Sequence, residues 1–507
     1  MEKAQNKPSY RLLIIDVFAF IFLGLCAAII QLNAWKTTGV NDSLLLGLAV
    51  PTFTFLLVGI ILYLFAEYKY NHLKLKNIFL CFAVIIAISN IIAVIALPNE
   101  VMLPNGGETL VITPMFRIYS LLVGFALGLA PFLCFYVIPK KILNRRYMNI
   151  ILYIVLGMAL GTILLSFVVE PQSYAGMFMS HFTDIEKYAL HSICGHKNYF
   201  AQILMFGMMA SILLRIRKKN ALWSLAIIPL YLFTLLTYSK VIIVVETLIV
   251  VIYLIIRLIM ICKRNRDNLV ITLLLSGFVV ILLPLFITGI VRSESGILFD
   301  IKNMFIKFGD SAKTTFESRV IIWTCAFQLL KPYQYIFGFG VTTFGYALHN
   351  TYAPVAPAWE NIDAIYHSHN AFVEMIGGGG VILLGIYLFI YIYFIYITLK
   401  LRKKTPYLSM AALIFTILSL FVSMVEPIYI GGVSGSLYLD MVIVLPIMSE
   451  YYLLIDKDEC KVRKEIIDQA KTIKKVNFNN KLLSLNKKRL IYEAKYIAYD
   501  LNNKIKL

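Results

Sequence analysis

The sequence predicts an all-α, polytopic membrane protein of about twelve transmembrane helices, with a long extracytoplasmic loop containing short amphipathic helices. Three observations predict it. Of 507 residues 60% are hydrophobic and only 15% charged, with a mean hydropathy of +0.79, far more apolar than a soluble globular chain. Many apolar runs approach or reach the roughly 20 residues that one helix needs to cross a hydrocarbon core about 30 Å thick. Backbone polar groups in lipid must bond internally, so runs of this length become helices.

In chain order the spans are expected near 12–32, 44–65, 78–97, 118–138, 150–169, 199–214, 222–238, 241–261, 269–291, 381–399, 407–425 and 437–455. The basic start (Lys3, Lys7, Arg11) resembles the opening of a signal peptide, but the number of spans that follow favours an uncleaved anchor. Alternate connections collect the basic residues: Lys69, Lys74 and Lys76; Lys140, Lys141, Arg145 and Arg146; Arg215, Arg217, Lys218 and Lys219; Lys263, Arg264 and Arg266; Lys400, Arg402, Lys403 and Lys404. Fourteen more lie after residue 455. By the positive-inside rule both termini are cytoplasmic and the chain is a multi-pass protein of the inner or plasma membrane. Topology and anionic lipid account for the net charge of +19, so no nucleic acid is required. The expected organisation is a bundle over 1–455 and a basic cytoplasmic tail over 456–507.

Seven cysteines show no metal-like spacing. Cys26, Cys81 and Cys134 read as small apolar residues inside spans; Cys194 and Cys325 fall outside and could pair in an oxidising compartment, although nothing in their spacing demands it. Two outer connections are long, 170–198 and 292–369, and long outer loops are where function concentrates. In the second, Ile322, Trp323, Ala326, Phe327 and Leu330 recur at helical spacing, so a helix is expected over 316–330. Thr314 and Glu317 fit its capping box and Pro332 its end. Such a helix could lie on the bilayer, with Trp323 at the interface and Arg319 at headgroup level.

Six of the seven histidines (His181, His191, His196, His349, His367, His369) fall on the outer side, and only His72 falls inside. Outer loops hold polar residues in any case, but this bias also fits proton or metal chemistry near neutral pH. His367, Ser368, His369 and Asn370 lead into a helix containing Glu374 and the glycines 377–380. A helix begun near Asn370 would put Asn370 and Glu374 on one face, able to orient His369. Four glycines in a helix cost roughly 1 kcal/mol each relative to alanine, which points to close backbone packing or to a local break. His196, Lys197 and Asn198 open the sixth span in a similar way, and Lys240 follows Ser239 at a tight outer turn. A snorkelling anchor is one reading of Lys240. Arg319, Lys240 and Lys197 on one face would also suit a diphosphate, with Arg319 able to make paired hydrogen bonds.

These segments resemble the O-antigen ligase and O-antigen polymerase superfamily of bacterial membrane glycosyltransferases. Residues 195–201 look like the family's Gly-His-x-Asn entry to a central span, and 236–240 like its Thr-x-Ser-Arg turn. Residues 318–323 look like its Arg-x-x-x-Trp helix, and 369–380 like its His-Asn, nine residues, Gly signature. The resemblance covers roughly 170–399. Lys240 departs from the family's usual Arg, keeping the charge without the fork, and Leu383 stands where a second Gly is common.

The resemblance implies a transferase that joins an undecaprenyl diphosphate-linked oligosaccharide to an acceptor hydroxyl on the extracytoplasmic face, with no metal, cofactor or nucleotide sugar. A surface polysaccharide (O-antigen or capsule) polymerase is the first reading; O-antigen ligase and protein O-glycosyltransferase are alternatives. It implies His369 as general base, Arg319, Lys240 and Lys197 on the diphosphate, and His196, Asn198, His367 and Asn370 in support. Implied partners are the lipid-linked donor, a glycan or other hydroxyl acceptor, the bilayer, and a chain-length regulator or flippase. A transporter of lipid-linked glycan is the rival from another class, but its ionisable residues should lie mid-membrane, where only Asp16, Glu246 and Asp440 are candidates. A zinc hydrolase, suggested by His367 with His369 and by His191 with His196, lacks a His-Glu-x-x-His motif. The Asp-x-Asp match at Asp456 and Asp458 lies in the charged tail, where a solvated run is the ordinary explanation.

Overall fold

The computed structural model describes residues 78–104, 109–132, 135–136, 139, 145–179, 187–194, 197–264, 292, 297–341, 343–357, 367–425, 440–454 and 495–498. The spans expected at 12–32, 44–65 and 269–291 lie outside these residues, as do His181, His196 and nearly all of the tail. The chain divides into two compact units, Met1–Glu450 and Tyr451–Leu507. In the second, the described part is residues 451–454 and a helical turn at 495–498.

The first unit is helical. Among the described residues five helices are long and apolar enough to cross a membrane: α1 (Ile78–Ala96), the Ile151–Val169 part of α3 (Arg145–Val169), α5 (Lys197–Lys218), α11 (Ala371–Leu401) and α12 (Pro406–Ser423). The chain is a multi-pass membrane protein. Between them lie α2 (Pro114–Phe132), α4 (Pro171–Met179), α6 (Ile227–Thr237) and α7 (Lys240–Arg264). The long stretch 292–369 holds α8 (Ile297–Leu329), α9 (Pro332–Phe337) and α10 (Thr343–Tyr352). Among the described residues the strands form a two-residue antiparallel ribbon, β1 (Glu100–Val101) with β2 (Leu110–Val111), Glu100 facing Val111.

Helix α5 is the hub. Its membrane window is 83% buried, against 39–56% for the other four, so protein surrounds it and the others keep a face for lipid. Gly207 permits the close approach, since a Cβ there would overlap Ala159 of α3. Near its far end Arg217 is buried, donating from Nη1 to Glu450 (3.2 Å) and from Nε to Asn149 Oδ1 (2.9 Å). Helices α1 and α2 pair through Gly124, packed on the Asn90 side chain, and Asn90 donates to the Ser120 carbonyl (2.9 Å). Arg117 reaches across to the end of α1, donating to the carbonyls of Val94 (2.5 Å) and Leu97 (2.8 Å), which its helix leaves without partners.

Helix α8 corrects the expected helix at 316–330. It runs 33 residues from Ile297, straight through the proposed capping box. The backbone N–H groups there already serve the helix, so Thr314 caps nothing and its hydroxyl turns back to the Asp310 carbonyl (3.4 Å). The helix ends at Leu329, as expected before Pro332, and Pro332 opens α9 at a position where a missing N–H costs nothing. Ile322, Cys325, Ala326 and Leu329 pack with Phe344, Leu348 and Tyr352 of α10 and with Val101 of the ribbon and Leu103 just after β1. The long loop therefore shares an apolar core with the α1–α2 connection, while Phe316, Val320 and Phe327 stay exposed on the opposite side of α8.

The glycine run in α11 combines close packing with a break. Gly380 has φ 69° and ψ −173°, a kink inside the helix. The kink turns carbonyls outward, and the segment after α9 takes them: Phe339 N–H donates to Gly377 O (2.7 Å) and Gly340 N–H to Gly378 O (3.0 Å). A Cβ at Gly377 would overlap the Phe344 ring, and one at Gly380 the Ile336 carbonyl. Backbone is laid directly on backbone, which accounts for the weak helix start that the sequence shows.

Candidate functional site

Two clusters of polar side chains form where helices meet the connecting loops, and both adjoin α12 or the helices it touches. Helix α12 packs against α5, α7 and α11, and its last turn meets the start of α11: Asn370 donates from Nδ2 to the Met424 carbonyl (2.9 Å).

The first cluster lies at the starts of α5 and α7. The α6–α7 turn is made by Tyr238 in the left-handed region (φ 53°), and Thr237 Oγ1 accepts from Ser239 N–H (3.2 Å). Ser239 donates to Asn198 Oδ1 (2.9 Å), which fixes the turn to the first residues of α5. Lys197 and Lys240 then flank one aromatic ring, their Nζ atoms 5.8 Å and 5.9 Å from the centre of Tyr238. Two ammonium groups gathered on one ring repel each other, so an anion between them is favoured. Three sequence-derived candidates, Lys197, Asn198 and Lys240, are thus brought together; His196 lies outside the described residues.

Beside it is a clamp that the sequence reading missed. Glu170, just after α3, accepts from the backbone N–H groups of His191 (3.0 Å) and Ser192 (2.8 Å), and its Oε1 lies 2.5 Å from His191 Nδ1. Burial pushes this carboxyl up, but the His191 ring and the two N–H donors outweigh it and hold the pKa below the usual 4.5. Ser192, held at φ 54°, donates from Oγ to the Thr162 carbonyl (2.7 Å), and Leu190 N–H donates to Leu236 O (3.1 Å). Cys194, at the end of this turn, is buried; burial first and the Glu170 carboxylate second push its thiol up to about 12. Cys194 and Cys325 form no disulfide. The available signal was a lone acid at the end of a span in a loop rich in histidine.

The second cluster is built on the start of α11. Asn370 is its N-cap, with Oδ1 accepting from Phe372 N–H (2.9 Å) and Val373 N–H (3.2 Å). His369 precedes it at φ 52°, a left-handed backbone uncommon outside glycine, and the rings of His367 and His369 lie 4.2 Å apart between centres. Between them Ser368 is fully buried, and its N–H and Oγ both lie 2.8 Å from Glu374 Oε2. Glu374 does share the turn with Asn370, but its contact is with Ser368. Helix α8 joins the cluster through Trp323, whose Nε1 donates to the Ser368 carbonyl (2.8 Å). Trp323 is therefore tied to this turn, where the sequence suggested an interfacial anchor. Arg319, one helical turn earlier, is 7% exposed and so sits inside protein rather than among headgroups. The helix that carries Arg319 is joined to the His369 turn by the Trp323–Ser368 hydrogen bond.

The Arg319 helix and the His369 turn meet through Trp323, and Lys197 with Lys240 gathers on Tyr238. Among the described residues no three His, Cys, Asp or Glu side chains come together as metal ligands. Glu246 is fully buried in α7, six residues after Lys240.

Comparison with protein families matches residues 225–388 to a family described as O-antigen ligase. The matched stretch begins in the turn before α6 and ends in α11, so it contains Lys240, Arg319, His367, His369 and Asn370. Comparison with curated proteins returns no match.

Proposed function

We propose that this chain, whose residues 225–388 match the O-antigen ligase family, is a glycan polymerase that works on undecaprenyl diphosphate-linked oligosaccharide at the extracytoplasmic face of the plasma membrane. Enzymes of that family transfer lipid-linked glycans, which supports the same class of activity here. The polymerase role, the twelve-span topology with both termini inside, and independence of metal are our reading.

One observation carries the assignment of residues: the family match encloses a turn bearing His369 that is hydrogen-bonded to the helix bearing Arg319. In the proposed reaction an acceptor hydroxyl oxygen attacks the anomeric carbon of the donor sugar, and the bond from that carbon to the diphosphate oxygen breaks. His369 takes the hydroxyl proton, since imidazole titrates close to working pH. The departing diphosphate gains charge, which Arg319 meets with paired N–H donors and Lys240 and Lys197 meet as point charges. Because Arg319 is buried, its attraction to phosphate acts in a medium of low dielectric, where it exceeds that of a surface cation. Asn198, through Ser239, and Asn370, through Met424, hold the two groups in place. His196 and His367 would contact sugar.

The test is replacement of His369 by Ala in the producing cell, followed by sizing of surface glycan. Glycan should collapse from long chains to single repeat units while membrane insertion is unchanged. Long chains persisting in that mutant would remove the mechanism. Loss of lipid-linked donor from the outer leaflet, instead of its accumulation there, would turn the assignment to a transporter.

A further inference from the structure

The polar network around Ser368 does more than cap a helix. Each of this residue's polar atoms is engaged: the N–H with Glu374 Oε2 (2.8 Å), the carbonyl with Trp323 Nε1 (2.8 Å), and Oγ with Glu374 Oε2 (2.8 Å) and the Asn370 carbonyl (2.9 Å). Ser368 is completely buried, whereas the histidines on either side of it are partly exposed. A fixed residue between two reachable imidazoles determines where both rings point. Left-handed backbone at a non-glycine residue such as His369 persists only where the surroundings over-determine it. Those surroundings are the Ser368 bonds on one side and the Asn370 cap on the other.

Glu374 is the uneconomical member. An acid 4% exposed in an apolar wall is costly, and a first-turn acid serves its own helix equally well from the surface. Its side chain instead bonds backwards to the turn, six residues earlier in the chain.

We propose that Glu374 is a positioning residue for His369: by accepting both donors of Ser368 it holds the turn that presents the imidazole, and Trp323 locks that turn to the helix of Arg319, so that base and phosphate-binding cation keep one spacing. The chemistry assigned to His369 rests on the transferase reading; the clamp itself does not.

The test uses the full chain in lipid nanodiscs and diethyl pyrocarbonate as the probe, with modification of each histidine followed by peptide mass spectrometry across the range in which imidazole titrates. Glu374→Leu keeps the bulk and removes the acceptor. His369 modification should rise about tenfold, the equivalent of one such hydrogen bond. His191 and His349, on other elements, should hold their rates. Glu374→Gln retains a carbonyl oxygen for the Ser368 donors and should restore the rate of the unmodified chain. An unchanged His369 rate in Glu374→Leu overturns the proposal, and so does an equal rise at all histidines, which would report general loosening. Should Glu374→Leu fail to insert, Trp323→Phe and Ser368→Ala carry the same expectation and the same refutation. Glycan sizing separates the two readings. Long chains surviving His369→Ala, with His369 reactivity still following Glu374, would refute the transferase role alone. Chains lost in His369→Ala, with reactivity indifferent to Glu374, would refute the positioning role alone.

Discussion

Replacing Gly380 by Ala tests the account of the α11 kink most directly. Gly380 adopts φ 69° and ψ −173°, a region essentially confined to glycine, and a side chain held there costs about 1–3 kcal/mol. The added methyl also overlaps the carbonyl of Ile336 and the amide of Phe337, which are backbone and cannot rotate aside. Relief requires the segment after α9 to move, and that stretches the bonds from Phe339 to Gly377 and from Gly340 to Gly378; one buried partner left unmet costs about 1–3 kcal/mol more. The expected loss is therefore about 4 kcal/mol, read as a marked fall in the temperature at which the detergent-solubilised chain leaves its monodisperse peak in size-exclusion chromatography. Gly385, five residues on in the same helix, supplies the control. A Cβ there meets nothing within 4 Å, so Gly385→Ala should gain up to about 1 kcal/mol of helix propensity. Opposite signs from the same substitution in one helix are the signature. If Gly380→Ala melts at or above the temperature of the parent chain, the kink is not needed and the reasoning fails.

Breaking the buried Arg217–Glu450 pair with Glu450→Gln should cost about 3–5 kcal/mol, whereas the double change Arg217→Met with Glu450→Leu should cost less than either single one, measured by the same melting assay. Glu170→Leu, which removes the acceptor, should release the turn that buries Cys194: the parent thiol, pushed up by burial, should resist maleimide at pH 7, while the variant should label several-fold faster at the Cys194 peptide. Because the folded Glu170 carboxyl titrates below its ordinary 4.5, its stabilisation is complete above 4.5 and is lost as pH falls through the lowered value; proteolysis of the 187–194 turn should accelerate only in that acid range. Arg319→Lys keeps a cation but loses the fork, and should lower chain extension by about 10-fold or more with the protein still inserted, read by glycan sizing.

Much of the bundle was legible because its signal is compositional. The spans at 78–97, 150–169 and 407–425 need only a long apolar run, and the structure has α1, α3 and α12 there. The start of α11 was legible for a local reason: Asn370 is a strong N-cap residue just before an apolar run. Thr314 and Glu317 misled for the converse reason, since a capping pattern says nothing about whether the chain upstream is already helical, and α8 begins well before it. Trp323 was read from the habit of its residue type, but its partner Ser368 is 45 residues away and no periodicity reports such a pair. Glu170 with His191, and Ser239 with Asn198, are likewise long-range contacts that only the fold creates. The glycine run announced that something unusual occurs, and the two orphan carbonyls with their donors supplied what it is.

That junction bears on any attempt to exchange the long loop between family members. Residues 338–340 and 377–380 form one unit across a gap in the chain, because donors on the first satisfy acceptors on the second. A graft that replaces the former and keeps the latter strands two carbonyls inside a bilayer helix. Domain-swapping designs should therefore cut within α10 or the 353–357 stretch, or carry both halves of the junction together.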